Sequence, residues 1–348
     1  QPALEFECFQ MLAHSARCSV GDQLHPSGRI CPVTYDLVGA VYGQVAAKEP
    51  WCRGAKAVTE IGVLTPEEGS VGGHTALSEA IFGVTRMLQE LGHQFDIVDS
   101  AAKLNDYRLI ILPDELHVDS KLARKLARFI DGGGAVIASY KSALADSGEE
   151  FTLEALGVSP VGDAPYQPDF LKPRKIFATG LADTEHVMYL RGMRVKTVKG
   201  ARVLADVIAP YFNRTWEHFC SHQHTPSAGK KAYPGVVGHG QTIYFAHPIF
   251  TQYHQRAPRW CKQLLANAID ALMPDPLVQL DAPTTTLVTL NEQPAEKRQV
   301  LHLLHYVPER RGTAFDIIED VIPLYDVGVS VKASRKVKSV TCVPQGDA

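Results

Sequence analysis

Long apolar runs are missing from this chain. The longest, such as Leu109–Pro113, fall far short of the ~20 residues that span a bilayer, so no transmembrane helix is expected. An excess of one charge is missing too. With 35 basic and 38 acidic residues the formal charge is −3, which excludes a basic surface built for nucleic acid or anionic lipid. No repeat of 20–50 residues recurs, which excludes solenoids and propellers. Gly and Pro number 27 and 22, too few for a collagen-like or low-complexity chain. Seven cysteines, odd in number and scattered, do not make a disulfide framework. They read as reduced thiols in a reducing, cytoplasmic setting. Residues 1–19 lack the basic start and apolar core of a signal peptide. The first residue is Gln1 rather than Met, and a segment upstream is expected.

What is there is a globular composition, 348 residues with 45% apolar and 21% charged, enough for two to three domains. Ala16–Val20 reads as a strand, Asp22–Gly28 as a polar loop, and Pro32 to Lys48 as a helix with Tyr35, Leu37, Val38, Val41, Tyr42 and Val45 on its apolar side. One strand and one helix cannot bury themselves, so this is expected to be the last βα unit of something larger. A regular α/β pattern follows. Val58–Leu64, Phe95–Val98, Leu109–Leu112 and Ala135–Ser139 read as strands. Leu77, Ile81, Val84, Leu88 and Leu91 step by four and three along a helix stopped by Gly92. A second helix carries Leu122, Leu126, Phe129 and Ile130, with Ser120 as its cap. Strands alternating with helices predict a parallel, doubly wound sheet. The pattern loosens after Glu150, with strands at Val187–Leu190, Ala201–Val207, Val236–Val237 and Thr242–Ala246 and a last helix over Pro258–Met273. Beyond it, Leu277–Leu280, Thr286–Leu290, Val300–Tyr306, Ile317–Pro323, Val327–Val331 and Val337–Val343 predict a small, truncated all-β domain.

Four places could carry chemistry. The Gly-rich loop Glu67–His74 lies between a strand and a helix, but it matches no phosphate-binding fingerprint and its two carboxylates repel anions. A plain loop is favoured there over a nucleotide site. In Trp216–Pro226, an extended strand would point His218, Cys220, His222 and His224 the same way. Such residues ligate zinc, yet one strand rarely wraps an ion, so a hydrogen-bonding wall or subunit contact is favoured. His247, at the end of an apolar strand, lies where open α/β sheets keep their sites. The elbow after Ala135–Ser139 offers only Tyr140 and Lys141 as its partner, which favours a structural histidine. Asp22 and His25 follow the first strand. They are either a turn with a surface histidine or, if that strand closes a barrel, part of its catalytic rim.

Leu112-Pro113-Asp114-Glu115-Leu116-His117, then Leu122–Ile130, then Gly132–Tyr140 resembles the beta-galactosidase trimerisation domain of glycoside hydrolase family 42. The resemblance covers about Ala57 to Pro276. It implies a flavodoxin-like, class I glutamine-amidotransferase-like domain. Amidotransferases of that superfamily carry an elbow Cys and a His-Pro-Glu phrase. Here His247-Pro248 stands before Ile249 and the Cys is absent, so glutamine hydrolysis is not expected. Ser15–Cys52, Trp216–Pro226 and Val300–Tyr306 resemble alpha-L-fucosidase-like hydrolases that carry this domain. The resemblance implies residues 1–56 as the terminal βα unit of a (β/α)8 catalytic barrel, 57–275 as the amidotransferase-like trimerisation domain, and 276–348 as a C-terminal β domain. It implies a carbohydrate substrate, a homo-oligomer (a trimer or a multiple), no cofactor and no metal. Such enzymes use two carboxylates, which come from earlier barrel strands. No catalytic residue is therefore assigned here. Asp22, His25, His218, His222 and His224 are the candidate substrate-binding residues.

Overall fold

The computed structural model describes residues 1–66, 78–333 and 336–344. The chain divides into two compact units. One comprises Gln1–Thr59, Gln89–Gln94 and Pro276–Ala348, and the other Glu60–Leu88 and Phe95–Asp275.

The first unit opens with a helix the sequence reading passed over, α1 (Pro2–Ala13), whose buried Glu5, Cys8, Phe9 and Leu12 step by three, one and three. It packs on α2 (Pro32–Lys48), where the helix was expected. The shared core is Cys8, Phe9, Leu12, Val41 and Tyr306. Of α2 only Val41 is buried, while Val33, Tyr35 and Leu37 of the expected apolar side and its start are exposed. Ala16–Val20 is not a strand, because no neighbouring strand pairs with it in a ladder. A three-stranded antiparallel sheet joins Lys56–Ala57, Thr286–Gln293 and Arg298–His305. A separate pair joins Val278–Asp281 to Gly328–Val331. Asn291 Nδ2 (2.8 Å) and Thr289 Oγ1 (3.1 Å) donate to the carbonyl of Ala13, tying the end of α1 to the central strand. Gln94 does the same for its own turn, accepting from Leu290 N and donating to Val288 O. Val337–Val343 forms no strand, and its valines at 337 and 340 are exposed.

The second unit is α/β, built on a nine-stranded mixed sheet. In chain order its strands are β1 (Ile61–Leu64), β2 (Phe95–Val98), β3 (Leu109–Leu112), β4 (Ala135–Ser139), β5 (Asp169–Pro173), β6 (His186–Met188), β7 (Arg202–Pro210), β8 (Ser227–His239) and β9 (Thr242–Phe245). The spatial order is β2-β1-β3-β4-β9-β8-β7-β5-β6. The first five run parallel. From β9 onward the pairing is antiparallel, so the expected all-parallel sheet is corrected to a mixed one. Every residue of β1, β3, β4 and β9 is buried, which is why these strands read as continuous apolar runs. The helices are α3 (Glu79–Glu90), α4 (Ser120–Asp131), α5 (Ile249–Arg256) and α6 (Arg259–Leu272). The cap of α4 is Asp119, whose Oδ1 accepts from Leu122 N at 2.7 Å, not Ser120, which begins the first turn. The core on one side of the sheet gathers Ile110, Leu112, Leu126, Phe129, Val136 and Tyr244.

Candidate functional site

The carboxyl ends of the parallel strands are where an open α/β sheet keeps a ligand. Here they are filled by the protein's own side chains. Asp114, just past β3, has φ 41° and is 1% exposed. Its carboxylate accepts from Ser139 Oγ, Thr251 N and Thr251 Oγ1, each at 2.7 Å. Thr251 lies in the first turn of α5, whose preceding residue, Pro248, has no side-chain cap to offer. Asp114 therefore caps that helix from across the sheet edge and sits at its positive end. Burial nonetheless lifts its pKa to about 6, against the pull of the Thr251 and Ser139 hydrogen bonds.

Tyr140, one residue past β4, takes the left-handed conformation of an elbow (φ 53°). Its neighbour Lys141 reaches over the ring, 5.1 Å from its centre, and pairs with Asp163 at 3.4 Å. His247 follows β9 and is 1% exposed. Its Nε2 lies 2.8 Å from Asp169 Oδ1, and Tyr233 Oη donates to Asp169 Oδ2 at 3.2 Å. His247 Nδ1 has no hydrogen-bond partner. An oriented base is present, but the elbow beside β4 offers a phenol instead of a thiol, so the thiolate chemistry of an amidotransferase has no nucleophile. Asp169 was not read from the sequence. It lies 78 residues from His247, and no local pattern marks it.

The segment 211–226, between β7 and β8, is a loop, so the shared face that an extended strand would give His218, Cys220, His222 and His224 does not form. Its residues alternate, but no partner strand takes up their backbone groups. Arg214 Nη1 donates to the carbonyls of His222 and Gln223, both at 2.7 Å. The Cys220 thiol donates to the carbonyls of His222 and His224 at 3.7 and 3.5 Å. Asn213 anchors the loop base, donating to Pro165 O and accepting from Gln167 N. The side chains consequently diverge. His218 and His222 are exposed, and His218 lies against Phe212. His224 turns inward, edge-on to Phe170 and Tyr189, with Nδ1 buried and unpartnered. Among the described residues no three His, Cys, Asp or Glu side chains converge to hold a metal ion. The loop instead presents aromatic residues not singled out in the sequence, with Trp216, Tyr211 and Phe219 exposed at 86%, 69% and 68%.

Asp22 and His25 lie in the first unit, in an exposed loop between α1 and α2. Asp22 Oδ1 accepts from Gln23 N, and His25 Nδ1 meets Ser27 Oγ at 2.8 Å. Neither contacts the other through a hydrogen bond, and both belong to a different unit from His218, His222 and His224. The loop Glu67–His74 lies outside the described residues. Among the described residues, no helix is long and apolar enough to cross a membrane.

This architecture has known counterparts. Residues 85–158 match the family model of the beta-galactosidase trimerisation domain. The chain shares the fold of two beta-galactosidases at 17% identity. That from Rahnella sp. R3 has a TM-score of 0.62, covering 84% of this chain and 45% of that one. That from Bacillus circulans sp. alkalophilus has a TM-score of 0.59, covering 83% and 44%. The fold is thus related to that of glycoside hydrolases.

More specifically, the chain is similar to alpha-L-fucosidase isoenzyme 2 from Paenibacillus thiaminolyticus. The two are 35% identical with a TM-score of 0.94, over 99% of this chain and 53% of that one. The chain spans about half the length of these solved structures. No curated protein matches it.

Proposed function

We propose that this chain is the C-terminal portion of an alpha-L-fucosidase-like glycoside hydrolase, supplying the assembly domain and part of the active-site rim. The observation that carries the reading is the 35% identity to an alpha-L-fucosidase at a TM-score of 0.94 over 99% of the chain. The catalytic carboxylates then belong to a preceding (β/α)8 barrel, and residues 1–56 are its closing unit. The exposed apolar side chains Leu24, Ile30, Val33, Tyr35 and Leu37 support a covering of that kind over α2 and the loop before it. Residues 57–275 form the trimerisation domain. Its parallel half, β2-β1-β3-β4-β9, has the flavodoxin-like order 2-1-3-4-5, which supports that reading. The last β segment is 276–348. The oligomer is a trimer or a multiple of one. Seven free thiols support a cytoplasmic setting.

In this proposal Asp22 and His25 line the sugar pocket. The loop carrying His218, His222 and His224 reaches a pocket of its own or a neighbouring subunit. The alternative sugar is a beta-galactoside, favoured by the match over residues 85–158. A third possibility is a non-catalytic sugar-binding or assembly module. Hydrolysis of nitrophenyl alpha-L-fucoside and nitrophenyl beta-galactoside decides among them, measured on this chain and on a longer protein that includes an upstream barrel. The chain alone is expected to be inactive and the longer protein active on the fucoside. Turnover by the chain alone, abolished by replacing one of its own carboxylates, overturns the reading. Calorimetric binding of fucose or galactose to the chain without turnover favours the third.

A further inference from the structure

Three cysteines from three separate segments meet in the core of the first unit. Cys8 lies mid-way along α1 and is fully buried. Cys18 lies in the irregular stretch between α1 and the loop that carries Asp22 and His25, and Cys52 follows α2. All three pack in or against the cluster of Phe9, Leu12, Val41 and Tyr306. The Cys18 thiol donates to the carbonyl of Cys8 at 3.3 Å, and each of the two thiols shifts the other's ionisation. Cys52 also acts electrostatically on Cys18. All are free thiols.

We propose that Cys8 and Cys18 are a dithiol site that closes to an intramolecular disulfide on exposure to a small-molecule disulfide oxidant, clamping the base of the 21–31 loop to α1. Cys18 is partly exposed and Cys8 is not, which sets the order of events. The Cys18 thiolate attacks one sulfur of glutathione disulfide, forming a mixed disulfide and releasing one glutathione thiolate. Cys8 then loses its proton and attacks the Cys18 sulfur. The Cys8–Cys18 bond forms, the mixed disulfide breaks, and the second glutathione leaves as a thiolate. Two protein thiols are oxidised, one glutathione disulfide is reduced, and the two protons end on the two glutathiones. The residues joined are ten apart, and the ring they close contains the turn at the end of α1. Burial and the neighbouring thiols push the Cys18 thiol up to about 11, so the first step speeds up about tenfold per pH unit below that value.

The test is incubation of the folded chain with glutathione disulfide across pH 7–9, acid quenching, and non-reducing peptide mapping by mass spectrometry. The expected product is a Cys8–Cys18 cross-linked peptide, two hydrogens lighter than the reduced pair and restored by dithiothreitol. Its rate is expected to rise with pH. Cys18→Ser should abolish it, whereas Cys52→Ser should leave it. The wild-type map decides even if a variant fails to fold. Persistence of Cys18 as its glutathione adduct, a Cys18–Cys52 cross-link as the main product, or no cross-link at all would each overturn the proposal.

Discussion

His247 Nε2 and Asp169 Oδ1 stand 2.8 Å apart with both side chains 1% exposed, joining the end of β9 to the start of β5 across the antiparallel half of the sheet. Tyr233 from β8 completes the group. Removing the Asp169 carboxylate leaves the buried His247 Nε2 and Tyr233 Oη without their partner, at a cost of roughly 1–3 kcal/mol each. Asp169→Ala is therefore expected to destabilise the second unit by about that much in urea or guanidinium unfolding. A loss below about 1 kcal/mol would mean that the contact carries little of the fold. Neither form is expected to hydrolyse glutamine, since Tyr140 stands at the elbow.

In the first unit, burial holds His93 and His302 down to about 4, the latter also through His14. Each has a buried ring nitrogen without a partner. In the unfolded chain both take a proton near 6.5. As pH falls from 6.5 toward 4, the unfolded chain binds protons that the folded one refuses, so stability drops, by on the order of 3 kcal/mol per histidine. Hydrogen exchange of this unit should quicken through that window. His93→Gln and His302→Gln should each flatten the pH dependence, and an unchanged profile in both would refute the assignment.

Asp114 has the opposite sign. Its carboxyl titrates near 6 when folded, against an ordinary 3.8. The folded chain keeps the proton longer, so this contribution is fully present below 3.8 and is lost as pH rises through 6. Asp114→Ala removes that slope and also leaves the Thr251 amide and the Ser139 hydroxyl without their acceptor. A net loss of about 2 kcal/mol is expected at pH 5, smaller at pH 8, measured as the difference between wild-type and variant unfolding curves.

Gly83, inside α3, lies against the backbone of α5. A Cβ there would come within 1.9 Å of the Phe250 carbonyl oxygen. Alanine is the better helix former by about 1 kcal/mol, but forced overpacking costs about 1–3 kcal/mol or more. The clash is with backbone, so it should win. Gly83→Ala is expected to lower the melting temperature, and a raised one would show that the two helices can part freely.

The strands Phe95–Val98, Leu109–Leu112 and Ala135–Ser139 and the helix Pro32–Lys48 were legible to the residue, since short apolar-rich runs and a Pro start leave few alternatives. What escaped depends on distant partners. The first helix hides its pattern behind a buried Glu5, whose carboxylate is held by the side-chain amides of Gln1 and Gln44. The strand Asp169–Pro173 ends in proline and has meaning only between β7 and β6. The course of the 211–226 segment was not legible, because alternation among polar residues is not a strand signal without an apolar face to bury. Arg214 and Cys220 take up the carbonyls of His222, Gln223 and His224 instead.

The tie between Ala13 and the strand Thr286–Gln293 joins residues 276 and 278 positions apart. During synthesis the first helix emerges long before its partner strand exists. The second unit can complete its sheet while the ribosome is still adding the C-terminal residues, but the first must wait for nearly the whole chain. The side of α1 that meets Tyr306 and this strand stays open throughout that interval, even once α2 has packed beside it, which makes it a part in need of protection from aggregation as the nascent protein folds.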